Sequence, residues 1–314
     1  MEGVDDQSAI TKENLIYIAD FMEKSGEKHI SLLGGEPLLH KNAGDIIEYL
    51  INREFNVTVF TSGIMANNRF DKFATKILSL PIEARDKLTF VVNVNEPRLS
   101  KKVELDKVYK FLSVLGVFCS LSFNIYRLDY NIDFLTEYIF RYGLKRRIRF
   151  GIANPIPGVD NQYIHPCDFK TAKTTLMSAL RKLNTLNVFP ILDCGFPMCI
   201  FADDDLGRLY KYTRGSVNFS CGPTIDIGPD LNCWSCFPLS NIHKRSIKDF
   251  SNLKELFSYF EKKMSEYRAE VRGIYIECDS CRYYDNLVCS GGCLAHILNR
   301  FHQEGNFRTP TDKE

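Results

Sequence analysis

The chain has 314 residues, 45% of them hydrophobic and 25% charged, with a formal net charge of +1. This is an ordinary globular composition, long enough to bury a large core in one or two domains, and its near-neutral charge leaves no electrostatic footprint for nucleic acid or an anionic membrane. No apolar run approaches the roughly 20 residues of a membrane span, and the acidic start MEGVDDQSAITKEN is not a secretory signal, so a cytoplasmic protein is expected.

In chain order, Thr11 and Asn14 with Leu15, Ile18, Phe21 and Met22 predict a capped helix. Residues 30–33 read as a strand buried on both faces, broken by Gly34-Gly35-Glu36-Pro37. Apolar residues at helical spacing follow over 45–53, then a second strand over 57–60 that ends in Thr61-Ser62-Gly63. This is one βαβ unit, which implies a parallel sheet with a right-handed crossover. The rhythm continues with helices over 70–80, 103–115, 132–142 and 171–186 and strands over 88–94, 118–125, 147–152 and 188–192. About six strands suit a partial parallel barrel better than a closed one. Composition shifts over 193–220, where Asp, Gly, Pro and Cys accumulate, so that stretch is expected to link residues 1–192 to a cysteine-rich part, 221–314. Short strands over 224–227 and 232–234, a helix over 253–267 and a frayed polar tail from Gly305 complete the pattern.

In parallel sheets ligands sit at the carboxyl ends of the strands. Gly34 and Gly35 would let a ligand approach the backbone, and the Glu36 carboxylate could grip a ligand ammonium. Asn93 and Asn95, Ser122 and Asn124, and Arg149 and Asn154 lie on or just past later strands and are weaker candidates for the same pocket. No residue is assigned a catalytic role. Of eleven cysteines, seven fall between Cys221 and Cys293. Cys278-x2-Cys281 and Cys289-x3-Cys293 set thiolates at ligand spacing, with Cys221 and Cys236 upstream. From spacing alone these suit either zinc or an iron–sulfur cluster.

The strand-GGEP-Leu-Leu-His block followed by strand-Thr-Ser-Gly resembles the radical S-adenosylmethionine (radical SAM) superfamily. The resemblance implies that Gly34, Gly35, Glu36 and Pro37 hold the methionine moiety of S-adenosylmethionine. Ser62, standing where the family has Asn, would lie close to it, with Asn93 and Ser122 near the cofactor. CGPTIDIGPDLNCWSC and CDSCRYYDNLVCSGGCLAH are similar to the SPASM extension of that family, which implies auxiliary four-iron clusters on Cys221, Cys236, Cys278, Cys281, Cys289 and Cys293. Leu231 stands where the extension has Gly, seven rather than five residues precede Cys289, and no cysteine follows Cys293. Cys194 or Cys199, in DCGFPMC, is a candidate for a missing ligand, whereas Cys233 falls on an apolar position and reads as a core thiol. The family's catalytic Cys-x3-Cys-x2-Cys is missing from these residues, so the chain as given is not expected to generate the adenosyl radical. Met1 is read as an internal residue of a longer enzyme, or else the chain as a degenerate paralogue. The resemblance further implies a peptide or protein substrate and an external electron donor. The other reading is a non-catalytic α/β partner or scaffold with a zinc- or cluster-binding tail.

Overall fold

The computed structural model describes residues 9–303; the tail expected from Gly305 lies outside them. A parallel sheet runs β1 (His29–Leu32), β2 (Asn56–Thr61), β3 (Leu88–Asn93), β4 (Cys119–Ile125), β5 (Arg147–Ile152) and β6 (Phe189–Leu192), in sequential order. Helix α1 (Lys12–Lys24) precedes it, and α2 (Ala43–Asn52), α3 (Asn67–Leu78) with the single turn α4 (Ile82–Arg85), α5 (Lys102–Leu115), α6 (Asp133–Arg141) and α7 (Phe169–Thr185) form the crossovers. Right-handed crossovers between neighbours in sequential order put every helix on one face, and the sheet curls away from them into a partial barrel.

Strand alternation divides the two faces. Val57, Val59, Leu88, Phe90, Val92, Leu121, Phe123, Ile148 and Phe150 are buried against the helices, where Phe90 meets Phe111 edge-on at 5.4 Å. The intervening Thr58, Thr89, Ser120, Ser122, Asn124 and Arg149 turn to the concave face together with Phe60, Val91 and Ile191, so the lumen mixes polar and apolar groups.

One strand differs from expectation. β1 was read as buried on both faces, but His29 and Ser31 are exposed and Leu33, just past the strand, is 44% exposed. Among the described strands β1 pairs with β2 alone, so its other edge and part of each face meet solvent. An apolar run specifies a strand but not its place in the sheet.

After β6, residues 193–220 contain α8 (Asp203–Tyr212), which opens on three aspartates that complement the helix dipole and buries Leu209. A small antiparallel sheet follows, β7 (Asp226–Ile227), β8 (Asn232–Trp234) and β9 (Arg245–Ser246), then α9 (Leu253–Glu270), the turn α10 (Arg282–Asp285) and α11 (Leu294–Gln303). This region packs onto α1: Ile18 and Phe21 share an apolar cluster with Leu231, Cys233, Leu256 and Phe260. The Asn14 side chain donates to Pro229 O at 2.7 Å, and the Leu253 amide donates to Ser25 Oγ at 2.9 Å.

Candidate functional site

The two glycine-rich turns meet at the carboxyl edge of β1 and β2. Glu36 begins a 3-10 turn, Pro37–Leu39, and its Oε1 accepts from the Leu38 amide at 3.1 Å. The same oxygen accepts from Thr61 Oγ1 at 2.6 Å, while Oε2 accepts from the Ser62 amide at 2.7 Å and from Ser62 Oγ at 2.5 Å. Four donors of this chain therefore fill the carboxylate. The carboxylate thereby ties the first turn to the second. What the turn leaves open is backbone. Gly34 has a φ of +136°, and a Cβ built on Gly34 or Gly35 would meet nothing within 4 Å.

Further along the rim, register aligns Asn93 with Ser122, Ser122 with Arg149, and Arg149 with Ile191. Ser122 is buried and receives Arg149 Nη1 at 3.3 Å. The Arg149 guanidinium also pairs with Asp193, the first residue past β6, and lies 5.3 Å from the centre of the Phe60 ring. Asn93 Oδ1 and Asn154 Oδ1 are buried acceptors with no hydrogen-bond partner among the described residues. Asn124 is exposed on the lumen side and Asn95 is exposed beyond β3. The rim thus offers open glycine backbone at Gly34 and Gly35 and orphaned acceptors at Asn93 and Asn154, groups that an ammonium- and hydroxyl-bearing ligand such as S-adenosylmethionine can use. Beside the rim, Tyr126, Arg127, Asn161, Gln162 and Tyr163 line an open cleft of ≈ 430 Å³ that sequence reasoning missed. Its residues come from two loops with no shared motif.

The cysteines of the tail fall into groups. Cys221, Cys236 and Cys293 belong to one apolar cluster, and the Cys221 amide donates to Ser290 Oγ at 2.6 Å. A hydrogen bond from Cys293 lowers the Cys221 thiol to about 6, against the opposing pull of burial, with the guanidinium of Arg268 assisting. Cys293 is driven upward by the same pairing and by burial. Burial raises Cys236 to about 12, and the neighbouring Cys221 and Cys194 thiols add to it. Burial likewise raises Cys278, with Cys281 and Cys289 contributing. A Cβ on Gly273 would stand 2.4 Å from Cys278 Sγ, so that glycine is needed for close wrapping of the loop. Arg268, 8% exposed, donates to the carbonyls of Ser290 and Gly292 and braces the Cys289–Cys293 turn. Cys233 is buried apart from these sets and donates to Arg245 O at 3.1 Å.

Among the described residues no three His, Cys, Asp or Glu side chains converge closely enough to hold a single metal ion. A zinc site would draw its sulfurs to roughly 3.8 Å from one another, given Zn–S bonds of about 2.3 Å. The zinc alternative is therefore unsupported. A cluster, in which each thiolate binds its own iron, accepts a wider set, and the all-sulfur donors fit it.

A partial parallel barrel with glycine-rich turns on its carboxyl rim and a cysteine-rich tail is thus the class that fold and site define. The same fold occurs in solved structures. SuiB of Streptococcus suis matches with a TM-score of 0.64 at 12% identity, covering 93% of this chain and 69% of that one, and has been solved with S-adenosylmethionine and with the precursor peptide SuiA. The protein anSMEcpe, with bound AdoMet and the Kp18Cys peptide, matches with a TM-score of 0.60 at 16% identity, covering 91% of this chain and 81% of that one. At such identities the likeness bears on the fold, and there it agrees with the resemblance read from the sequence. No protein-family profile and no curated protein sequence matches the chain. Among the described residues no helix is long and apolar enough to cross a membrane.

Proposed function

We propose that this chain binds S-adenosylmethionine at the rim of β1 and β2, carries iron–sulfur clusters on Cys221, Cys236, Cys278, Cys281, Cys289 and Cys293, and has the architecture of a radical SAM-type enzyme that modifies a peptide or protein, whose radical step needs a cysteine triad beyond these ligands. The observation that carries this reading is the pair of turns, Gly34–Glu36 and Thr61–Gly63, locked together by four hydrogen bonds to one carboxylate with glycine backbone left open beside them. The backbone at Gly34 and Gly35 would face the methionine end of the cofactor, and Asn93, Ser122 and Asn154 would supply polar contacts further along the rim. When bound, S-adenosylmethionine supplies a sulfonium whose carbon–sulfur bond can be broken reductively. An external donor would supply the electron for that step. The residues given contain no Cys-x3-Cys-x2-Cys to hold a cluster against the sulfonium, so no cleavage step is assigned to them. The peptide class draws support from the fold neighbours solved with SuiA and Kp18Cys and from the open cleft at Tyr126 and Tyr163. In this reading residues 1–192 hold the cofactor, 221–314 hold the clusters, and 193–220 join them. The missing triad favours a second reading, a non-catalytic cluster-binding partner protein with the same fold.

Calorimetric titration of the full chain with S-adenosylmethionine tests the cofactor assignment. A Val side chain at Gly35 meets no protein atom at its Cβ, so Gly35→Val should fold normally yet weaken binding at least tenfold by filling the approach. No saturable binding by the wild-type chain, or equal affinity in Gly35→Val, sinks the assignment.

A further inference from the structure

We propose that a notch over Gly151, at the carboxyl end of the lumen, anchors a neutral amide of the substrate, either a backbone peptide link or the carboxamide of an Asn or Gln side chain. This rests on reading the chain as an S-adenosylmethionine protein that takes a peptide, and adds the place and the chemistry of one substrate contact.

Gly151 is the only glycine within β1–β6. A glycine inside a strand gives up side-chain packing and backbone stiffness, and it marks a place where another group approaches the backbone closely. Here that group is Asn124, directly opposite in the register of β4 and β5. A Cβ on Gly151 would stand 2.7 Å from Asn124 Oδ1 and 3.7 Å from Asp193 Oδ2. Two acceptor oxygens, one from β4 and one from just past β6, therefore converge on a single point above the β5 backbone. Gly151 is buried beneath them, whereas Asn124 is exposed and the Asp193 side chain is 37% exposed.

The notch has a fixed side and a free side. Asp193 is held from the row below by Arg149, whose guanidinium also donates to Ser122 Oγ at 3.3 Å and lies 5.3 Å from the centre of the Phe60 ring. That pairing engages Asp193 Oδ2 and leaves Oδ1 without a donor among the described residues. The Asn124 carboxamide likewise has no hydrogen-bond partner among them. One carboxylate oxygen, one amide oxygen and one amide N–H pair are thus left for a ligand.

Charge selects what enters. The strands β1–β6 carry Arg147 and Arg149 on the lumen face and contain no Asp or Glu. Arg149 already neutralises Asp193, so an ammonium group meets a net positive wall, and a carboxylate meets the oxygens of Asn124 and Asp193. A neutral amide avoids both penalties. Its N–H donates to Asp193 Oδ1 or Asn124 Oδ1, and its carbonyl accepts from Asn124 Nδ2. The notch opens on the same carboxyl rim as the Gly34–Glu36 and Thr61–Gly63 turns, which puts an anchored peptide on the cofactor's side of the sheet.

The test follows the side-chain amide resonance of Asn124 in the isotope-labelled full chain, assigned by its loss in Asn124→Leu. Four small probes are titrated: N-methylacetamide for a peptide link, propionamide for a side-chain carboxamide, propionate and propylammonium. At least one of the two amides should shift the resonance saturably, and whichever binds tighter identifies the source. The two charged probes should bind about tenfold more weakly or less. In Gly151→Ala the new Cβ displaces only the end of the Asn124 side chain, so the variant should fold and lose the amide response. No saturable shift with either amide, an equal response to a charged probe, or an unchanged response in Gly151→Ala overturns the assignment. The first two outcomes need no variant to fold. Titration of the wild-type chain with S-adenosylmethionine is read separately. An absent amide response beside intact cofactor binding overturns the notch alone, whereas absent cofactor binding overturns the reading on which its role in substrate anchoring rests.

Discussion

Glu36 ties the two rim turns together, its oxygens accepting from Leu38, Thr61 and Ser62. Ser62, standing where the resembling family has Asn, keeps two of those bonds through its amide and hydroxyl, so the departure preserves the lock. Glu36→Ala should leave partly buried donors without an acceptor, lower stability by about 1–3 kcal/mol and weaken S-adenosylmethionine binding at least tenfold; melting curves and titration calorimetry measure both, and wild-type affinity in that variant would mean that the lock is not needed for binding. Leu231 makes a parallel case. It stands where the extension has Gly, and the structure gives it a φ of +66°, a left-handed conformation in which glycine is at ease. Its side chain is 3% exposed among Ile18, Phe21 and Ile247, so apolar burial offsets the backbone strain. The sequence shows the substitution; only the backbone angle shows what it replaces.

At the scale of elements, alternation and helical spacing located the six strands and the main helices within a few residues, because each carries a strong apolar period. The misses have physical causes. α8 lies inside the Asp- and Cys-rich stretch, where three aspartates look like a loop until the helix dipole is considered. β9 is two residues long and is defined by its partner β8 rather than by its own pattern. α11 follows directly on the cysteine ladder, whose ligand spacing masks the helical period of Leu294, Ile297 and Leu298. The cysteine loop itself depends on backbone approach. A Cβ at Gly273 would come within 2.8 Å of Cys278 Cβ and 2.9 Å of Gly291 O. Gly273→Ala should therefore pry that loop open, with a measurable loss of cluster iron and an unchanged far-ultraviolet spectrum of the barrel. Full iron content in that variant would show that the loop tolerates the displacement.

For the molecule as a whole, the sequential parallel sheet sets its helices on one face and leaves a lumen of mixed polar and apolar groups on the other, with the rim turns at the carboxyl ends of the strands. That much follows from the βαβ rhythm. How the tail cysteines group does not: Cys221, Cys236 and Cys293 share one apolar cluster while Cys289 lies in the main core, a division that only the folded chain shows. The central claim, that the tail is built for iron–sulfur clusters in an S-adenosylmethionine-binding fold, is tested most directly by the metal and acid-labile sulfide content of the full chain purified without oxygen. The account predicts iron and sulfide in near-equal amounts, about four of each for every four-iron cluster, and no stoichiometric zinc. One or two zinc ions per chain with no labile sulfide would contradict it.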